Sequence, residues 1–394
     1  MPVQDKTAAA IETLTSLSSN HESQSEFYSD ISALIQSKLY HQLTVNILEF
    51  TSDPSNSNTA SNNFEQLYDI LSNVKSKLNP LMLSRIASNV STTTNQTSIL
   101  TALLTTEEIK AAPHAKLYTE SKLNLLLLHQ QTTSPSSDFL TEQSLQISQF
   151  LKDNTVKLQE LASSTESEIA SVHSSFYETA MEYYKMVGPA HSFYKNAIQY
   201  LHYTPLQSLS AEQCAFLARD LSLAALVGEG VYNLGEIVYE NQLLLDALEG
   251  SEEEYLVELM RGAAEGRILS LDKYQEKLQG HGCDVRVISE KIMLLALIHM
   301  VFEKEAGDRI LKFDDISKRL SVEGDQVEWV VMKALSLGLI KGSMDQVEGV
   351  VEVSWVMPRV LDQGGLKSLS ERFGEWADKV KDTKGYMLEH VPAF

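Results

Sequence analysis

The stretch KFDDISKRLSVEGDQVEWVVMKALSLGLIKGSMDQVEGVVEVSWV, residues 312–356, decides the fold. Two short helical patterns precede a two-strand pattern. Asp314 or Asp315 caps a helix that runs through Leu320. Val327, Val331, Ala334 and Leu335 give the i, i+4, i+7, i+8 stripe of a second helix, which Gly338 closes. Ile310 to Phe313 predicts a short strand. Leu339 to Lys341 and Val350 to Val356 predict a hairpin in which Val351, Val353 and Trp355 alternate with Glu352 and Ser354. This is the element order of a winged helix-turn-helix, a fold that can read DNA.

The charge opposes that use. Residues 312–356 hold five basic side chains (Lys312, Lys318, Arg319, Lys333, Lys341) against eight acidic ones, and the whole chain of 394 residues carries a formal net charge of −21. Nucleic-acid affinity comes largely from neutralising phosphates with Lys and Arg, so neither a duplex nor an acidic membrane surface is an expected partner. On the outer side of the second helix stand Trp329 and Lys333, where a DNA reader would place Arg, Asn or Gln. A tryptophan there asks either for a protein partner or for packing against the preceding helices.

Working upstream, Ile288, Ile292, Leu295, His299 and Phe302 line a long helix whose flanking apolar residues predict burial nearly all round. Its run IMLLALIHMVF, 292–302, is too short to span a bilayer. Before it, strand signals are nearly absent. Leu34, Ile35, Leu39, Leu43, Ile47 and Phe50 make one helical face, and Leu67, Ile70, Leu71, Val74 and Leu78 make the next. Breaks fall at Asp53-Pro54, Asn79-Pro80, Ser134-Pro135, Gly188-Pro189 and Thr204-Pro205. Such helix pairs stack into an α-solenoid, and YKNAI, 194–198, has a tetratricopeptide flavour. A generic helical bundle is the alternative. The fold class is therefore mainly α: a TPR-like α-solenoid over 1–189, further helices over 190–284, a winged helix with a small β-hairpin wing over 285–361, and a C-terminal helix with its tail over 362–394.

Downstream, Leu366, Leu369, Phe373, Trp376 and Val380 are spaced 3, 4, 3 and 4, a narrow heptad seam flanked by charged residues. It suits insertion into a helical bundle made with other chains, or else folds back on its own domain.

Chemistry-bearing motifs are missing: no HExxH, GxSxG or Walker sequence, and ten histidines without metal spacing. Gly228, Gly230 and Gly235 follow no strand and read as close helix packing or a helix-helix turn rather than a phosphate loop. Cys214 and Cys283 have no CxxC spacing and read as buried thiols in a reducing compartment. MPVQDKTAAAIETL lacks the basic start and apolar run of a signal peptide. No enzyme, cofactor or metal is expected.

LVGEGVYNLGEIVYE, 226–240, closely resembles the GEG-aromatic-N-aromatic-GE signature of the non-ATPase regulatory subunit 13 family of the proteasome lid, with Leu234 where an aromatic is usual. VMKALSLGLIKGSMDQVEGVVEVSWVMPRVLD, 331–362, resembles the same family almost continuously. More widely, the architecture looks like the PCI proteins of the proteasome lid, the COP9 signalosome and translation initiation factor three. The resemblance implies a non-catalytic scaffold of the 26S proteasome regulatory particle, acting in ubiquitin-dependent protein degradation in cytoplasm and nucleus. It implies a hetero-oligomer with other PCI and MPN lid subunits, close to the ubiquitin-receptor subunit. The partner-binding residues would be Trp329, Lys333, Val351, Val353 and Trp355 on the winged helix, whose strand 350–356 offers backbone groups for sheet augmentation. Leu366, Leu369, Phe373, Trp376 and Val380 would serve on the bundle helix. The alternatives are a PCI subunit of another complex and a winged-helix nucleic-acid binder.

Overall fold

The computed structural model describes residues 25–52, 68, 71, 75–89, 93–133, 139–161, 169–269, 271–304, 309–361 and 363–390. They fall into two compact units, one of 1–188 with 195–204 and one of 189–194 with 205–394.

The first unit is all helix among its described residues: α1 Ser25–Gln36, α2 Tyr40–Ser52, α3 Pro80–Ser88, α4 Thr93–Thr105, α5 Glu107–Ala111, α6 Pro113–Thr133, α7 Phe139–Leu161, α8 Ile169–Val187 and the second half of α9 Ala190–Tyr203. The face predicted from Leu34 to Phe50 is split. Lys38 takes a left-handed backbone (φ 59°), so α1 and α2 fold against each other and Leu39 at the turn is exposed. Of the next predicted face, Leu71 and Leu78 are buried, whereas Leu67, Ile70 and Val74 lie outside the described residues. Asn79 accepts a bond from the Leu81 N–H at 3.0 Å and Pro80 opens α3, a start that needs no N–H from the proline.

α6 is the centre of this unit, packed by α3, α4 and α8 around Leu83, Leu100, Leu117, Leu128 and Phe176. Lys122 of α6 meets Glu178 of α8 at 2.6 Å, and the Thr179 hydroxyl donates to the Ser121 carbonyl at 2.9 Å. Burial alone would lower the Lys122 pKa, but the adjoining Glu178 carboxylate, together with Tyr118 and Tyr200, outweighs it, raises the pKa and holds the ammonium protonated.

The second unit is built on α14, Val285–Glu303, which packs against α10 Ala211–Val227, α12 Glu254–Ala264, α13 Gln275–Gly280, α15 Phe313–Leu320, α16 Gly324–Ser336 and strand β3 Val350–Val356. Six neighbours explain why Ile288, Ile292, Leu294, Leu295, Leu297, Ile298 and Val301 are all buried. Asp284 caps its start by accepting from the Arg286 N–H. The short helix α11, Gln242–Asp246, sits between α10 and α12 in sequence.

The winged module follows. α15 begins at Phe313 behind Lys312, with no side-chain cap, so neither Asp314 nor Asp315 is the N-cap. Both occupy the first turn, where carboxylates favour the helix dipole. Ser321 (φ 53°) turns the chain into α16. Gly338 (φ 69°) ends α16, with the Leu339 N–H bonded to the Ala334 carbonyl.

The sheet order is β1-β3-β2, all antiparallel, with β1 at Ile310–Lys312 and β2 at Ile340–Asp345. Its core is Leu311, Ile316, Leu320, Val327, Val330, Val331, Ala334, Ile340, Val351, Val353 and Val356. The hairpin carries a register irregularity between Lys341 and Gly342, so Lys341 faces Trp355 while Gly342 faces Val353. The extra residue shifts the alternation by one. Val351 and Val353 point inward, then Trp355 turns out and Val356 takes the next buried place. Gly342 is required there, because a Cβ would stand 2.0 Å from the Glu352 carbonyl oxygen.

The last element, α17, Gln363–His390, runs for 28 residues. Between 363 and 388 every residue except Gly365 is exposed.

Candidate interaction surfaces

On α16, Trp329 remains 44% exposed and the Lys333 ammonium lies 4.6 Å over its ring. Lys333 is also ion-paired with Glu290 of α14. The tryptophan is thus stiffened by a neighbouring cation and left open to a partner. Met332 of α16, Leu337 at its C-terminal cap and Val287 of α14 are exposed as well, and the core-stripe pattern does not single them out.

On the wing, three residues expected to meet partners have different fates. Trp355 is exposed, with Lys341 at 4.9 Å over its ring. Val351 and Val353 are core residues, 1% and 4% exposed, so their side chains face inward. Strand 350–356 is central in the sheet, flanked by β1 and β2, and its backbone is not an edge open to augmentation. The long edge strand is β2, whose outer backbone groups face no strand among the described residues.

On α17, Leu366, Leu369, Phe373, Trp376 and Val380 are 39 to 65% exposed. Tyr386, Met387 and Leu388 extend the apolar content toward the helix end. Lys381 pairs with Asp378 within the helix at 3.4 Å, a surface pair of small energetic weight.

The 226–240 stretch is not helix throughout. α10 ends at Val227, residues 228–235 form a turn, and Glu236–Glu240 makes one π-type turn. Lys291 of α14, 6% exposed, donates to the carbonyls of Ala225 (2.6 Å) and Gly228 (2.7 Å) and lies 5.4 Å from the Tyr232 ring. Burial lowers its pKa to about 7. Tyr194 donates to Glu236 at 3.1 Å, and burial together with that carboxylate pushes its phenol pKa up.

The described residues contain no group of three or more His, Cys, Asp or Glu able to hold a metal, and no helix long and apolar enough to cross a membrane. Cys214 and Cys283 are both half-buried rather than core residues.

Helical repeats, a winged helix whose outer face carries tryptophan, and a terminal helix with a bare apolar edge define a PCI-domain protein. The family model described as PSD13 N-terminal repeats matches 27–260, and the PCI domain model matches 284–355. The chain is 31% identical to 26S proteasome non-ATPase regulatory subunit 13 homolog B of Arabidopsis thaliana, covering 95% of this chain and 96% of that protein. It is 32% identical to 26S proteasome regulatory subunit RPN9 of Saccharomyces cerevisiae over 59% of this chain and 61% of that one. A weaker similarity, 22% over 40% of this chain and 41% of the other, links it to eukaryotic translation initiation factor 3 subunit M of Nematostella vectensis. The chain belongs to the 26S proteasome non-ATPase regulatory subunit 13 family.

Proposed function

We propose that this chain is a non-catalytic scaffold subunit of the proteasome regulatory particle lid, a hetero-oligomer with other PCI and MPN subunits. The observation that carries this reading is α17, an amphipathic helix whose apolar edge, Leu366, Leu369, Phe373, Trp376 and Val380, is 39 to 65% exposed. A helix of this kind gains most of its stability from burying that edge, and the burial has to come from other chains. The winged module adds a second contact through Trp329, Lys333 and Trp355, with β2 supplying the edge for strand pairing. On this reading the contacts lie within the lid, near the ubiquitin-receptor subunit, and serve ubiquitin-dependent degradation in cytoplasm and nucleus; membership in the family supports it.

The test is a tagged pull-down from native cytosol with mass spectrometry, comparing the full chain with one ending at Gly364. Proteasome lid and base subunits should elute with the full chain and be lost on truncation. Recovery of translation-factor or signalosome subunits instead would move the chain to another PCI complex.

A further inference from the structure

We propose that the 226–240 signature is the anchor that fixes where α17 leaves the fold, and that Asn233, Gly235 and Glu236 are positioning residues for assembly. This rests on the reading of α17 as the assembly helix. Residues 357–361 are irregular, and they make the short strap from which α17 leaves the winged module as a lever. At 1.5 Å per residue its 28 residues extend about 42 Å, and a 10° change at the strap would swing the far end by about 7 Å. Whatever holds the strap therefore aims the seam.

The strap is tied to the helical part of the unit. The Val360 N–H donates to Asn233 Oδ1 at 3.1 Å. Asn233 is oriented in turn, its Nδ2 donating to Glu236 Oε1 at 2.8 Å, while Tyr194 donates to the other Glu236 oxygen. Gly235 lies under the strap: a Cβ there would come within 2.9 Å of Val360 Cβ and 3.2 Å of its carbonyl oxygen. Arg359 donates to the Ala264 carbonyl and stacks 5.6 Å from the Phe302 ring. Lys291 grips the other end of the turn through Ala225 and Gly228. The space enclosed by Tyr232, Asn233, Gly235, Ala264, Leu295 and Arg359 is about 10 Å³, room for one water at most. The signature therefore closes on the strap, with Gly235 and the Asn233 amide occupied in holding Val360.

The experiment uses the full chain carrying Asn233→Ala or, separately, Gly235→Ala, which disturbs the strap from the opposite side while leaving the Asn233 amide in place. Hydrogen exchange at the Val360 amide should rise at least about 10-fold, as expected for a freed N–H, with exchange in 294–301 unchanged. Proteasome subunits recovered by pull-down should fall at least about 5-fold. Val331→Ala, a core truncation in the winged module, serves as a stability match and should leave recovery intact at an equal loss of melting temperature. Unchanged exchange at Val360 overturns the anchor, and raised exchange with full recovery overturns its positioning role. If the chain ending at Gly364 is recovered as well as the full chain, the assembly reading of α17 fails, whatever the exchange data show.

Discussion

Replacing Leu369, Phe373 and Trp376 together by Asp should abolish assembly while sparing the fold. These side chains are 39, 60 and 65% exposed in the free chain, so a large share of their apolar surface is open to a partner. Full burial of one large apolar side chain is worth about 1.5–3 kcal/mol. Scaling by the fraction still open, the three together offer a partner about 4 kcal/mol, or roughly a thousandfold in Kd. Three carboxylates forced into a bundle would add a desolvation penalty to that loss. The assay titrates purified chain against lid preparations lacking this subunit and follows incorporation by native gel. Urea unfolding of the same variant should superimpose on that of the parent. Gln at the same three positions, a better helix former than Asp, should give a comparable loss and so exclude helix melting as the cause. Incorporation at parental concentrations, or a lowered unfolding midpoint, would refute the reasoning, the first by removing the seam from assembly and the second by showing internal contacts.

Gly342→Ala drives a Cβ to 2.0 Å from a backbone oxygen of β3, and backbone cannot rotate away, so the winged module should lose about 1–3 kcal/mol; an unchanged melting curve for that module would contradict the bulge. Lys291 has a folded pKa of about 7 against 10.5 for an ordinary lysine, so the unfolded state binds more protons between those values. The stability of the parent relative to Lys291→Met should therefore rise from about pH 7 towards 10.5 and stay flat below 7, and urea unfolding between pH 6 and 9.5 that shows no rising difference would refute it. Titration with duplex DNA or with RNA at low salt should give flat curves, given the acidic winged segment; saturable, salt-sensitive binding would reveal a basic surface that the charge count hides.

The winged module was legible because its signals are local. Val327, Val331 and Ala334 recur at helical spacing, and Gly338 marks the stop that the left-handed backbone requires. Leu335 fits the same stripe yet is only partly buried, whereas Val330, outside it, is buried, since the surface covered by α15, β2 and α14 is broader than a single stripe. What failed was long-range. Nothing in 350–356 tells whether that strand is an edge, because this depends on β1, some forty residues earlier, pairing with it. The bulge has a signal, a glycine inside a strand pattern, but the pattern of the first strand ends at Lys341, before it. Lys291 gave no signal at all: a lone lysine in an apolar helix finds its acceptors 63 and 66 residues away. The heptad spacing of α17 was visible in the sequence, but its exposure depends on where the fold leaves room for it.

On the proposed reading, α17 also makes the chain a counter of its own partners. A copy that finds no place in an assembly keeps a 28-residue helix with a naked apolar edge, the kind of surface on which chaperones and quality-control proteases act. Copies made beyond the number of vacancies would stay marked for removal, and the amount of this chain that persists would follow the amount of complex it can join.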